Sequence, residues 1–124
     1  MIDFTGKLNN HIQYIEILEI LEKCTAYIEI TLIDGKETNS LIEWWGTKTS
    51  AKNKQIRIKA SEELFEYLKQ FETFCKYYNS EEKGDYSVIT DFGYDDIAFL
   101  NEDNDVLLCT TTHEGYIAIN EKLL

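Results

Sequence analysis

Residues 97–119 read IAFLNEDNDVLLCTTTHEGYIAI, and the reading of this stretch decides the fold. Three short apolar runs, Ile97–Asn101, Val106–Thr111 and Tyr116–Ile119, are separated by polar punctuation. Each reads as a strand, and Glu102-Asp103-Asn104-Asp105 reads as the turn between the first two. Upstream, Tyr86–Thr90 is a further strand candidate beyond a turn over Ser80–Asp85. Strand following strand without an intervening helix is the mark of an antiparallel arrangement.

Working toward the N-terminus, the period changes. Leu64, Leu68, Phe71, Cys75 and Tyr78 predict the inward stripe of a helix over Glu62–Tyr78. Ser61 stands at its N-cap, and Glu62 and Glu63 lie in the first turn, where the helix dipole favours anions. Before it come a short strand, Gln55–Lys59, and a β-branched alternating run, Tyr27–Ile33. Asp34-Gly35 is a two-residue hairpin signal, because both central residues of a type I′ turn need positive φ, with a returning strand expected over Thr38–Trp45. A first helix is expected over Asn10–Cys24, with Tyr14, Ile17, Leu18 and Leu21 inward and Glu16, Glu19 and Lys23 on the opposite face. Asn10 and Gln13 have capping-box spacing at its start. The order α-β-β-β-α-β-β-β(-β) lacks regular βαβ alternation. The expected fold is therefore α+β, two helices packed on a largely antiparallel sheet of about five to seven strands.

At 124 residues, with 44% apolar and 13% aromatic side chains, the chain is one domain, 1–124, with enough apolar content for a core. It contains no proline, so glycine, asparagine and aspartate make the turns. No apolar run approaches the roughly 18 residues that span a bilayer. Met1-Ile2-Asp3-Phe4 has neither a basic nor an apolar leader region. Cys24, Cys75 and Cys109 are odd in number and widely spaced, against a disulfide framework. The cytoplasm is the expected compartment.

The net charge of −11 is unevenly spread. Between Ser80 and Asp105, Glu81, Glu82, Asp85, Asp91, Asp95, Asp96, Glu102, Asp103 and Asp105 face only Lys83. Between Trp44 and Ser61, Lys48, Lys52, Lys54, Arg57 and Lys59 face no acid at all. Such an acidic body repels nucleic acid and lipid headgroups and attracts cationic proteins. The basic segment follows Trp44-Trp45, a pairing suited to single-stranded nucleic acid, but the overall charge opposes that use. An edge strand guarded by lysines explains it better.

Motifs for catalysis or cofactors are absent. Asn101, Asp103 and Asp105 have the spacing that opens an EF-hand loop, yet Val106 takes the place of the required glycine and Thr112 that of the terminal glutamate. A solvated hairpin turn is the better account. His11 and His113 fall in different elements, which excludes a paired zinc motif. Cys109 and His113 are close enough in sequence to form a nucleophile–base pair, but the acids around them raise a thiol pKa. Cys24 and Cys75 read as packing residues. No cofactor and no metal is expected, and the chain is not expected to be an enzyme.

Phe92 and Tyr94 lie among the acids, and one of Trp44 and Trp45 must leave the core if they occupy a strand. Carboxylates around aromatic anchors make a surface that clamps a basic protein. In type, the chain resembles the immunity half of a bacterial toxin–immunity pair; the likeness lies in size, charge and aromatic placement, with no family motif behind it. It implies a basic partner, a cognate toxin of nuclease kind, met by Asp91, Asp95, Asp96, Glu102, Asp103 and Asp105, with Tyr94 and Trp45 as anchors. Direct nucleic-acid and membrane contacts are not expected. Two other readings are a DNA-mimic inhibitor and a small enzyme or ligand-binding domain built around Cys109 and His113, with Tyr116 and Trp44.

Overall fold

The structure, a computed structural model, describes residues 1–4, 11–31, 55–71, 73–74, 96–111 and 116–123. Its elements are β1 (Ile2–Asp3), α1 (His11–Cys24), β2 (Tyr27–Thr31), β3 (Gln55–Lys59), α2 (Glu62–Leu68), β4 (Asp96–Leu100), β5 (Val106–Thr111), β6 (Tyr116–Ile119) and a 3₁₀ turn at Glu121–Leu123. The strands form one sheet in the order β1-β6-β5-β4-β2-β3, antiparallel at every pairing. The fold is α+β, as expected.

Register explains which side chains meet. Ile58, Ile28, Phe99, Leu108 and Ile119 lie in one row across five strands, and all are buried. Ile56, Ile30 and Ile97 form the next row, two residues along each strand. Because strand side chains alternate between faces, these rows give the sheet a single apolar face. The core contains this face together with Tyr14, Ile17, Leu18 and Leu21 of α1 and Leu64, Phe65 and Leu68 of α2. The α1 stripe is the one its spacing predicts.

The β4–β5 pairing slips between Phe99 and Leu100, leaving Leu107 as the extra residue on β5. Leu107 and Leu108 are both buried although they are adjacent. A bulge does this by breaking the alternation locally.

The two helices are fastened to each other by a buried polar contact. Tyr14 is wholly inside, and its hydroxyl donates to the carbonyl of Leu68, at the end of α2 where carbonyls lack helical partners. Its ring meets Phe74 edge-on at 4.8 Å, and Phe74 in turn meets Phe99 at 6.0 Å. On the surface, Lys69 Nζ lies 3.2 Å from Glu22 Oε1 and 3.8 Å from Glu66 Oε1, pairs of modest worth at this exposure.

Two expectations need correction. Ser61 caps α2 as its position predicts, accepting from Leu64 N–H at 3.1 Å, but the helix closes at Leu68 and not at Tyr78. The chain leaves it through tighter bonds, Gln70 N–H to Tyr67 O and Phe71 N–H to Leu68 O. Phe71 and Phe74 are therefore buried from irregular chain and not from a helical stripe. Cys24 is exposed, not packed, because it is the last residue of α1, about one turn beyond Leu21, the last buried residue of the stripe. Both edges of Tyr27–Thr31 are taken, one by β3 and the other by β4. The Asp34-Gly35 hairpin, the strands Thr38–Trp45 and Tyr86–Thr90, the Ser80–Asp85 turn, Asn10 and Cys75 lie outside the described residues.

Candidate functional site

The acidic turn between β4 and β5 is built around Asn101. Its Oδ1 accepts from the backbone N–H of Asp103 and of Asp105, each at 2.9 Å. Its own N–H donates to Asp105 O and its carbonyl accepts from Asn104 N–H, both at 3.0 Å. Asn104 has φ of 65°, in the left-handed region that asparagine tolerates better than most residues. Together these bonds make a three-residue hairpin loop that closes with a left-handed residue. The spacing that resembles the start of a calcium loop is thus a turn motif: the Asn101 oxygen is spent on two backbone donors. Among the described residues no group of three or more His, Cys, Asp or Glu side chains converges on a point that could hold a metal.

Glu102, Asp103 and Asp105 project from this turn and are exposed. One cation reaches this turn, although the run of acids in the sequence has only Lys83 beside it. Arg57 of β3 lies with its guanidinium 4.5 Å from the centre of the Tyr27 ring and donates through Nη2 to Asn104 Oδ1. A cation from the basic segment therefore reaches the middle of the acidic turn by lying across β2. Register accounts for the reach: Tyr27 pairs with Lys59 on one side and with Leu100 on the other.

Beside the turn is an open cleft of about 370 Å³, lined by Lys23, Cys24, Thr25, Ala26, Asn101, Glu102 and Asp103. It lies where the C-terminal end of α1 meets the end of β4, so helix carbonyls add to the negative character of Glu102 and Asp103.

The remaining candidates separate. Asp96 opens β4 opposite Thr31, at the far end of that strand from the turn. Four strand residues of about 3.3 Å each put it more than ~13 Å from Asn101. The acids of the C-terminal third therefore do not all gather along one edge of the sheet, since β4 is an interior strand with acids at both ends. Asp91, Tyr94, Asp95, Trp44, Trp45, Phe92 and His113 lie outside the described residues. Cys109 is half-buried on β5, and burial, then the charge of Asp96, push its thiol pKa up. That direction works against a thiolate nucleophile. Tyr116 is exposed on β6 and does not line the cleft.

Asn101 and Arg57 were both noted in the sequence, but neither was given its role in holding this turn. For Asn101 the signal was present, since an Asn preceding an acidic turn is a common side-chain-to-backbone acceptor. For Arg57 there was none without the register. Asn101→Ala is expected to lower stability by about 1–2 kcal/mol, because two turn donors lose their protein acceptor and turn to water. A urea titration checks this, and a shift of under a few tenths would show that the turn is held by its backbone alone.

No protein-family model, no curated protein and no solved structure matches this chain significantly.

Proposed function

We propose that the chain is a cytoplasmic inhibitor of a basic protein, of the immunity type, which blocks a cognate toxin of nuclease kind by presenting carboxylates to a cationic cleft. One observation carries this reading: Glu102, Asp103 and Asp105 stand exposed on a turn whose backbone is fixed before any partner arrives. Preorganised charge is worth more than charge on a mobile loop, because less conformational freedom is lost on binding. The neighbouring cleft offers room for a lysine or arginine side chain between Glu102, Asp103 and the end of α1. Asp91, Asp95 and Asp96 would extend the acidic surface, with Tyr94 and Trp45 as its apolar anchors. The mechanism is steric and electrostatic blockade, so the inhibitor itself needs neither cofactor nor catalysis.

The test is purification of the tagged chain co-expressed with its genomic neighbour, at low and at high salt. A stoichiometric basic partner whose retention falls with salt is the expected result. Recovery of the chain alone under both conditions would sink the reading. With a partner in hand, reversing Glu102, Asp103 and Asp105 to lysine together is expected to weaken binding roughly a hundredfold and flatten its salt dependence. Unchanged salt sensitivity in that variant would remove the electrostatic mechanism.

A further inference from the structure

The sheet has two outer edges, and they differ. β1 is only two residues long, whereas β3 offers five. The phase of the β2–β3 ladder is fixed just past its end, where Ala60 N–H donates to Ala26 O at 2.9 Å. In an antiparallel pair, alternate residues turn both backbone groups toward the partner strand. Counting back from Ala60, Ile58 and Ile56 face β2, opposite Ile28 and Ile30. Gln55, Arg57 and Lys59 therefore point their N–H and C=O groups away from the sheet, and among the described residues nothing bonds to them.

We propose that this edge of β3 accepts an extended acidic segment of a partner protein as an additional strand. Charge selects the occupant. Arg57 and Lys59 are exposed on β3 and lie in the stretch Trp44–Ser61, which carries five cations and no acid in a chain of net charge −11. A second copy of β3 laid alongside would bring like charges together, which destabilises a pairing. A strand bearing carboxylates matches Lys59 instead, with Arg57, whose side chain lies across β2 to Asn104, adding its charge at longer range. The chain itself shows one such match: on the occupied edge, β2 sets Glu29 directly opposite Arg57, with Ile28 and Ile30 turned to the core. Strand addition of this kind draws affinity from backbone bonds and selectivity from alternate side chains. The outward backbone groups of β3 take no part in the acidic turn, although Arg57 reaches that turn from β3, so the inference does not depend on the inhibitor reading.

The probe is a short fluorescein-labelled peptide alternating valine and glutamate, titrated against the full chain. Saturable binding is expected, with amide hydrogen exchange at Gln55, Arg57 and Lys59 slowing in the complex. Ile56 and Ile58, already bonded to β2, should be unchanged. Replacing the peptide's glutamates by lysine, or methylating its backbone nitrogens along one edge, should each weaken binding roughly tenfold or more. In the chain, Lys59→Pro removes an outward N–H that the ladder does not use, a substitution edge strands tolerate. It should weaken binding similarly with the far-UV circular dichroism intact. Three results would overturn the proposal: no binding at millimolar peptide, binding without slowed exchange at those three amides, or self-association of the chain through this edge.

Discussion

Phe99→Ala is expected to destabilise the fold by about 3–5 kcal/mol, the range for removing a large buried aromatic. Phe99 has no exposed surface and lies at the centre of the apolar row, between Ile28 and Leu108. Its ring stands 6.1 Å from that of Phe65 and 6.0 Å from that of Phe74. It is thus the point where the sheet, α2 and the chain after α2 share one contact. Truncation leaves a cavity walled by three elements that cannot all collapse onto it. A small domain is typically stable by only about 5–15 kcal/mol, so the variant should lose a large part of its margin. Urea denaturation measures this as a lower midpoint at unchanged slope. A loss below about 1 kcal/mol would mean that the row is not the centre of the core.

The second large effect is expected at high pH and belongs to Tyr14. Burial raises its hydroxyl pKa well above the ordinary value of 10.0. In the unfolded chain the same group ionises near its ordinary value, so above that pH the unfolded state holds fewer protons than the folded one. The stability that depends on neutral Tyr14 is fully present below the unfolded pKa. It is lost as pH rises from there through the raised folded value, at about 1.4 kcal/mol per pH unit. Tyr14→Phe should remove that one-proton slope from the alkaline limb. At neutral pH the same variant should be less stable by about 1–2 kcal/mol, because the Leu68 carbonyl loses a buried donor. Denaturation curves at neutral and alkaline pH for both proteins separate the two effects. An unchanged alkaline slope would show that Tyr14 reaches solvent before the chain unfolds.

What the sequence disclosed followed from local periodicity, and what it withheld depended on distant partners. The stripe of α1 was legible because three- and four-residue spacing leaves one answer. The runs at Val106–Thr111 and Tyr116–Ile119 were legible because polar turns bound them on both sides. The length of α2 was misread because Leu64, Leu68, Phe71, Cys75 and Tyr78 recur at three- and four-residue spacing, a pattern that can run on past the end of a helix. β1 was missed since two residues carry no pattern. The neighbours of β2 were hidden for a stronger reason. A hairpin signal is local, whereas β4 lies about seventy residues downstream of β2 and is selected by the buried face the two share. The site divides in the same way. The turn after Leu100 and, from the strand before it, the separation of Asp96 could be seen, but the arrival of Arg57 depends on register across β3, β2 and β4.

The pairing of β1 with β6 has a consequence for how the chain reaches its native state. Ile2 must find Ile119, and Phe4 N–H must find Ile117 O, across nearly the whole sequence. Together with the long reach from β2 to β4, this gives the topology a high contact order, and closing such loops is slow. On the ribosome, α1 and β2 emerge long before β4 exists, and β1 has no strand to join until β6 has been made. The sheet is therefore expected to close only once β6 has been made, with β1 among the last strands to dock.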